Sequence, residues 1–266
     1  MLDSKQQPTP KPNLGSEVIL ETRNLSKSFG AVQAVRSVNW SVKAGEVCAL
    51  LGDNGAGKST LIKLIAGAIL PSSGEILVRG SQAQIADPSD ALNLGIAPVY
   101  QDLALVESRN VIQNMFLGGE LTYGPLNLFL DHKRMALEAE RVLGEIRSRI
   151  PSAKEVVRKL SGGQRQAVAI ARTLIRGGQI IIMDEPTAAL GIEQTREVLQ
   201  LIQTLRGQGR TVVLITHNMS HVFQVADQVS VMFRGEMIGT RRVSETNQEE
   251  VISMIVGAKR EAMGVA

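Results

Sequence analysis

A short glycine-rich stretch carries the strongest chemical signal in this sequence. Residues 52–59 fit the pattern G-x-x-x-x-G-K-[ST], between an apolar run of strand length and a segment with helical spacing. Such a turn lets successive backbone N–H groups point at one anion, and the start of the following helix adds a partial positive charge. We therefore predict a nucleoside triphosphate site. Its expected contacts are Gly52, Asp53, Asn54, Gly55, Ala56, Gly57, Lys58, Ser59 and Thr60.

A pair of acidic residues supplies the second half of a magnesium–triphosphate site. Asp184 and Glu185 directly follow the apolar run 180–183. Asp184 can hold the metal through water while the Ser59 hydroxyl ligates it directly. Glu185 is placed to act as general base towards the attacking water. Such a pair alone is more often a solvated strand end, but downstream of an intact phosphate loop the catalytic interpretation is favoured.

Two further polar residues, Gln101 and His217, also follow segments that look like strands. The carboxyl ends of parallel strands line the ligand crevice of an open sheet, so both side chains could point at the γ-phosphate. We assign both to the catalytic site, and Gln101 also to the magnesium ion. His132 and His221 lack such a position, and we interpret them as structural or solvated.

The glycines of Leu160-Ser161-Gly162-Gly163-Gln164 form a second candidate anion site. Ser161 and Gln164 have the spacing of a capping box, so the two glycines would lie at the start of a helix that runs to about Arg176. A flexible loop would explain the glycines equally well when they are considered alone.

The elements that position these residues follow from the apolar pattern, which alternates strand-length runs with helical segments and predicts an α/β fold. From Gln101 to Lys159 helical spacing takes over, with residues 135, 139, 142, 143, 146 and 150 on one helix face. We expect a tail over 1–16, a domain over 17–257 with a helical subdomain at about 102–176, and a tail over 258–266. Thr246 and Glu249 are expected to cap a last helix that Gly257 ends.

The composition narrows the class of protein. The chain has 266 residues, 44% hydrophobic but only 3% aromatic, so its core must be aliphatic. A net charge of +3 without a long basic run gives no indication of nucleic-acid binding. The single cysteine, Cys48, is expected to be a buried thiol, which fits a cytosolic chain. No apolar run is long enough to span a membrane, so a role there would require another chain to cross it.

Taken together, these motifs resemble those of the ATP-binding-cassette (ABC) ATPases from about Val18 to Gly257, in the order and spacing of that family. The resemblance implies a P-loop NTPase with a mostly parallel core sheet, an N-terminal antiparallel β subdomain and a helical subdomain. It implies that Phe29 stacks on adenine, for which a buried core phenylalanine is the alternative. It also implies a head-to-tail homodimer, in which the signature of one subunit, residues 160–164, closes on ATP at the phosphate loop of the other.

Finer features resemble the importer ATPases for simple sugars. The stretches 52–60, 184–191 and 217–219 are similar to theirs, and 99–103 with 114–118 are most similar to the single-cassette fructose type. Gly191 stands where the broad family usually carries Asp. A glycine at this position is itself a mark of the sugar group. The resemblance implies a peripheral subunit on the cytoplasmic face of the cell membrane. Its partners would be an integral-membrane permease and, indirectly, a sugar-binding protein.

Two alternatives remain at this point. Another type of ABC transporter shares the core motifs, and a soluble cassette acting on ribosomes or DNA belongs to a different class. The latter usually needs two cassettes or very long coiled coils, which 266 residues with one cassette do not offer. Within the helical subdomain, we expect Val106–Asn110 and the apolar Met115, Phe116 and Leu117 to contact the permease.

Overall fold

The computed structural model describes residues 17–124 and 128–263, and side chains up to Gly257. The tail expected over 1–16 lies outside these residues. The strands are β1 (Val18–Phe29), β2 (Val32–Lys43), β3 (Val47–Leu51), β4 (Ser73–Val78), β5 (Ser81–Gln82), β6 (Ile96–Val99), β7 (Thr122–Tyr123), β8 (Phe129–Leu130), β9 (Ile180–Asp184), β10 (Thr211–Ile215), β11 (Gln228–Phe233) and β12 (Glu236–Arg242). The helices are α1 (Lys58–Ile65), α2 (Pro88–Asn93), α3 (Val111–Phe116), α4 (His132–Glu145), α5 (Gly162–Ile175), α6 (Ile192–Gly207), α7 (Met219–Val225) and α8 (Gln248–Met263).

The largest sheet of the described residues has six strands in the order β12-β11-β3-β10-β9-β6. All its neighbours pair in parallel except β12, which forms a hairpin with β11. Alternate side chains of β9 enter different cores: Ile181 and Met183 pack with α3 to α6, while Ile180 and Ile182 pack on the side of α1. Burial on both faces explains why these strands are uninterrupted apolar runs in the sequence.

A four-stranded antiparallel sheet, in the order β2-β1-β4-β5, lies on the α1 side. The indole N–H of Trp40 on β2 donates to Ser230 Oγ on β11 at 2.9 Å, which ties this sheet to the central one. The expected α/β class, with a mostly parallel core sheet and an N-terminal antiparallel part, is confirmed.

Helices α3, α4 and α5 pack around one apolar core. The predicted face of α4 is buried at residues 135, 139, 142, 143 and 146. The helix itself ends at Glu145, because Arg147 takes a left-handed conformation with φ +52°, so Ile150 lies beyond it. The short strands β7 and β8 pair in an antiparallel manner between α3 and α4.

Three expectations, about the exposure of two side chains and about both ends of the last helix, are wrong. Met115 and Phe116, predicted to contact a partner, are 0% and 1% exposed and belong to the core of the helical region. In α8, Glu250 N–H donates to Asn247 Oδ1 at 2.9 Å, so Asn247 caps the helix rather than Thr246 with Glu249. Gly257 does not end α8, which reaches Met263 through the region expected to be a tail. Gly257 does not take the left-handed conformation with which a glycine commonly ends a helix.

The helices of 17–124 and 128–263 include none that is long and apolar enough to cross a membrane.

Candidate active site

The phosphate loop, residues 52–59, joins β3 to α1 and is held closely by backbone from two neighbouring strands. Gly52 has φ +149° and Gly57 has φ +101°. A Cβ at Gly52 would overlap the carbonyl oxygen of Met232 on β11, and one at Gly57 would lie 2.5 Å from that of Ala34 on β2. Both positions therefore require glycine for space as well as for conformation.

Lys58 closes this loop into a compact ring. Its Nζ donates to the carbonyl oxygens of Gly52 at 2.8 Å and Asp53 at 2.9 Å. Burial lowers the pKa of Lys58, and the carboxylates of Glu185, Asp184 and Asp53 oppose that change. The ammonium group is half-buried, and both of these bonds are to neutral carbonyls. A bound anion would make stronger, charge-assisted hydrogen bonds with it, so the loop fits the phosphates of a nucleotide.

Asp184 and Glu185 lie at the carboxyl end of β9. Burial raises the pKa of Asp184, and the neighbouring Glu185 carboxylate raises it further. Glu185 has a left-handed backbone with φ +48°, and its N–H donates to Ile215 O on β10 at 2.9 Å. A strained conformation held by the sheet next to a second carboxylate is typical of a functional position.

The predicted base, Glu185, is in direct contact with His217. His217 Nδ1 lies 2.8 Å from Glu185 Oε1, in the geometry of an imidazole N–H donating to a carboxylate. The Glu185 side chain is 20% exposed and that of His217 is 80% exposed, so the pair lies at the mouth of a crevice. His217 can therefore orient one carboxylate oxygen while the other stays available.

An open cleft of about 510 Å³ brings part of the predicted site together, whereas Lys58 and Ser59 line a different groove. The cleft is lined by Gly52, Asp53, Asn54, Gln101, Glu185, Ala188 and His217. All of these except Ala188 were predicted from the sequence as site residues. The carboxyl ends of β3, β6, β9 and β10 supply them, as expected for a parallel sheet.

A second groove, of about 720 Å³, runs along the other side of the loop past Ser59 and Thr60. Its far wall was missed by the sequence reasoning. That wall consists of Val32, Gln33, Ala34, Arg36, Arg234 and Gly235. Backbone bonds join the wall to the loop: Gly235 N–H donates to Ala56 O at 2.9 Å, and Arg36 N–H donates to Gly235 O at 2.8 Å.

Phe29 lies at the end of β1 and is 51% exposed, which excludes the alternative of a buried core residue. It pairs with Val32, which lines the groove, although Phe29 itself is not part of the lining. Lys27 Nζ lies 5.2 Å from the centre of its ring. The structure thus places Phe29 beside the groove rather than inside it.

The signature residues lie apart from the phosphate loop of the same chain. Gln164 N–H donates to Ser161 Oγ at 3.2 Å, and Ser161 N–H donates to Gln164 Oε1 at 2.9 Å, which confirms the capping box. A Cβ at Gly162 would overlap Leu190, and one at Gly163 would lie 2.9 Å from Glu197 on α6. None of these four signature residues lines the cleft or the groove at the loop.

Comparisons with known proteins identify the family of this chain. The profile of the ABC transporter family matches residues 35–188. The chain is 44% identical to the xylose/arabinose import ATP-binding protein XylG of Sulfolobus acidocaldarius over 89% of this chain and 93% of that protein. It is 40% identical to the fructose import ATP-binding protein FrcA of Rhizobium meliloti, over 92% and 96%. The ribose import ATP-binding protein RbsA of Yersinia pestis is 41% identical over 90% of this chain, which spans only 46% of RbsA.

Solved structures resemble the whole described fold. A nucleotide-free ATP-binding cassette from an ABC transporter superposes with a TM-score of 0.79 at 26% identity, covering 94% of this chain and 99% of that one. A dimeric cassette in a post-hydrolysis state, bound to ADP and Pi, superposes with a TM-score of 0.70 at 26% identity, covering 85% and 99%.

Proposed function

This chain belongs to the ABC transporter family, and on that premise we propose that it is the ATP-hydrolysing subunit of a sugar importer. The observation that carries the proposal is the meeting of Gln101, Glu185 and His217 with the phosphate loop in one cleft. A base, its orienting partner and an anion-binding loop are the parts that water attack on a γ-phosphate requires.

In the proposed reaction, the backbone of the phosphate loop and Lys58 hold the phosphates. Lys58 Nζ exchanges its bonds to the carbonyls of Gly52 and Asp53 for phosphate oxygens. Glu185 accepts the proton of the attacking water on the carboxylate oxygen that His217 leaves free. His217 keeps that carboxylate in place, and the sheet fixes the backbone of Glu185 through Ile215.

We assign Ser59, Gln101 and Asp184 to a magnesium ion. Hydroxyl, amide and carboxylate oxygens are hard ligands, and Mg²⁺ in triphosphate sites commonly takes few protein carboxylates beside the phosphates. The crowding that raises the pKa of Asp184, from burial and from Glu185, would be relieved by a cation. When bound, the ion neutralises charge that develops on the phosphates.

The position of the signature supports a homodimer. Because Ser161, Gly162, Gly163 and Gln164 do not line the site of their own chain, we propose that they act on ATP held by the partner, as in a head-to-tail pair. Phe29, exposed beside the groove, would stack on the adenine once nucleotide is bound.

A groove of about 870 Å³ between α3 and α4 is the proposed contact with the permease. Half-exposed or exposed apolar side chains line it, namely Val106, Leu117, Leu130 and Leu137. Charged residues, Arg109, Glu120, Lys133, Glu140 and Lys154, also contribute to its lining. An apolar groove with charged residues suits an amphipathic helix of a partner. The subunit would then lie on the cytoplasmic face of the membrane, held by the permease.

The names of the relatives supply the class of solute. Proteins called xylose/arabinose, ribose and fructose import ATP-binding proteins are 40–44% identical to this chain. We therefore propose a monosaccharide of the pentose or fructose type, delivered by a sugar-binding protein to the permease.

Two measurements test the proposal. The purified chain should hydrolyse ATP in the presence of Mg²⁺, and a Lys58→Ala variant should not. A strain without this protein should lose uptake of one labelled sugar among xylose, arabinose, ribose and fructose, and wild type but not Lys58→Ala should restore it. Normal uptake of all four sugars in that strain would reject the sugar assignment. It would not affect the ATPase assignment, which the hydrolysis measurement tests separately.

A further inference from the structure

The loop that begins at the proposed general base, Glu185, has a strained backbone, and contacts with its neighbours must hold it in place. It runs from Glu185 to Leu190 and joins β9 to α6. Glu185 and Ala189 both have left-handed backbones, with φ +48° and φ +58°. Non-glycine residues adopt this conformation at a cost, so surrounding contacts must fix the loop in place.

Two histidines four residues apart in the chain contact the first half of this loop. His217 Nδ1 lies 2.8 Å from Glu185 Oε1, and His221 Nδ1 lies 3.2 Å from Thr187 Oγ1. His221 belongs to α7, where its N–H donates to the capping Asn218 side chain at 3.2 Å. The cap fixes the backbone at the start of α7, which carries the His221 ring that contacts Thr187.

The second half of the loop contacts the signature. A Cβ placed on Gly162 would overlap the Leu190 side chain, which shows how closely Leu190 packs on the start of α5. A shift of the loop at Thr187 would therefore reach Glu185 on one side and the signature glycine on the other.

The protonation of His221 agrees with an acceptor role. Burial lowers its pKa, and the neighbouring His217 lowers it further, against a smaller opposing effect of Glu185. A neutral ring with its proton on Nε2 offers Nδ1 as an acceptor, and the Thr187 hydroxyl can donate to it.

We propose that His221 is a positioning residue, which accepts a hydrogen bond from Thr187 and so holds the 185–190 loop in the geometry that ATP hydrolysis requires. His221 does not line the cleft, and it acts through Thr187 on Glu185 and, through Leu190, on the signature. This inference rests on the proposed ATPase function.

Matched substitutions separate the hydrogen bond from the shape of the side chains. Thr187→Val removes the hydroxyl and keeps the volume, whereas Thr187→Ser keeps the hydroxyl. His221→Phe removes the acceptor, whereas His221→Asn offers an amide oxygen near the position of Nδ1. The full-length chains are compared in steady-state ATP hydrolysis with Mg²⁺, and their melting temperatures are recorded.

We expect Thr187→Val and His221→Phe each to lower kcat about fivefold with little change in KM for ATP, the scale of one net hydrogen bond. Thr187→Ser and His221→Asn should recover most of kcat. The double variant Thr187→Val/His221→Phe should be no slower than either single one, because both remove the same bond.

Three results would overturn the inference: unchanged kcat in both disrupting variants, a Thr187→Ser variant as slow as Thr187→Val, or single effects that multiply in the double variant. A fall in melting temperature with normal kcat would show a purely structural contact. If the wild-type protein does not hydrolyse ATP, that result would instead reject the proposed function. In that case the ring ¹⁵N NMR shifts of His221, which should change in Thr187→Val and not in Thr187→Ser, still test the contact.

Discussion

Replacement of Glu185 by glutamine removes the charge of the proposed base and preserves its shape. The amide can still contact His217 Nδ1, which lies 2.8 Å from Oε1 in the native side chain. Glutamine cannot accept the proton of the attacking water, so kcat should fall on the order of a hundredfold or more, the usual contribution of a positioned general base. That loss corresponds to about 2.7 kcal/mol of transition-state stabilisation.

The same change should leave folding and ATP binding largely intact. Glu185 raises the pKa of the half-buried Asp184, so its charge is unfavourable there, but it also supports the ammonium charge of Lys58, which is favourable. Because these two effects oppose each other, we expect the melting temperature to stay close to that of wild type. Bound ATP should then persist, and a closed dimer should accumulate.

The assay combines phosphate release with size-exclusion chromatography in ATP and Mg²⁺. Glu193→Gln is a suitable control, because Glu193 is a highly exposed residue in the first turn of α6 and does not line the cleft. The reasoning fails if Glu185→Gln hydrolyses ATP at a rate close to wild type, which would move the role of base to another residue. A low rate together with a collapsed melting transition would indicate unfolding rather than loss of the base.

Three further predictions follow from the site and the groove. Lys58→Ala should abolish hydrolysis and weaken nucleotide binding, measured by calorimetry, because the loop loses the ammonium group that lies within hydrogen-bond distance of the Gly52 and Asp53 carbonyls; turnover near normal would contradict this. Phe29→Ala should weaken ATP binding by about 1–3 kcal/mol, as stacking on a base predicts, with a smaller effect on the maximal rate; unchanged affinity would remove Phe29 from the site. Phe116→Asp should unfold the helical region, because Phe116 is 1% exposed. Leu137 is 61% exposed, so Leu137→Asp should keep the melting temperature of wild type but no longer capture the permease in a pull-down. Equal capture by Leu137→Asp and wild type would remove this side chain from the interface.

Much of the site could be predicted because its signals are local in the chain. The phosphate loop is one continuous stretch, and the capping box of Ser161 and Gln164 spans four residues. The polar residues after β6, β9 and β10 could be placed together because parallel strands end on the same side of a sheet.

The errors arise where packing between distant segments decides the outcome. Helix α3 has only six residues, too few for an apolar period to show which side faces the core, so Met115 and Phe116 were misplaced. The wall formed by Ala34, Arg36 and Gly235 exists because the turn after β11 packs on β2. Neither strand carries a motif that indicates this contact.

The close approach of Gly52 and Gly57 to their neighbours has a consequence for comparative genomics. Each glycine packs against a backbone carbonyl, that of Met232 or that of Ala34, and any residue type provides the same carbonyl. Selection therefore constrains the glycine and leaves the identity of its partner free to drift. Covariation between alignment columns, which detects contacts through paired changes, should miss both contacts even though they shape the phosphate loop. A contact map built from covariation alone would leave the loop without the neighbours that hold it.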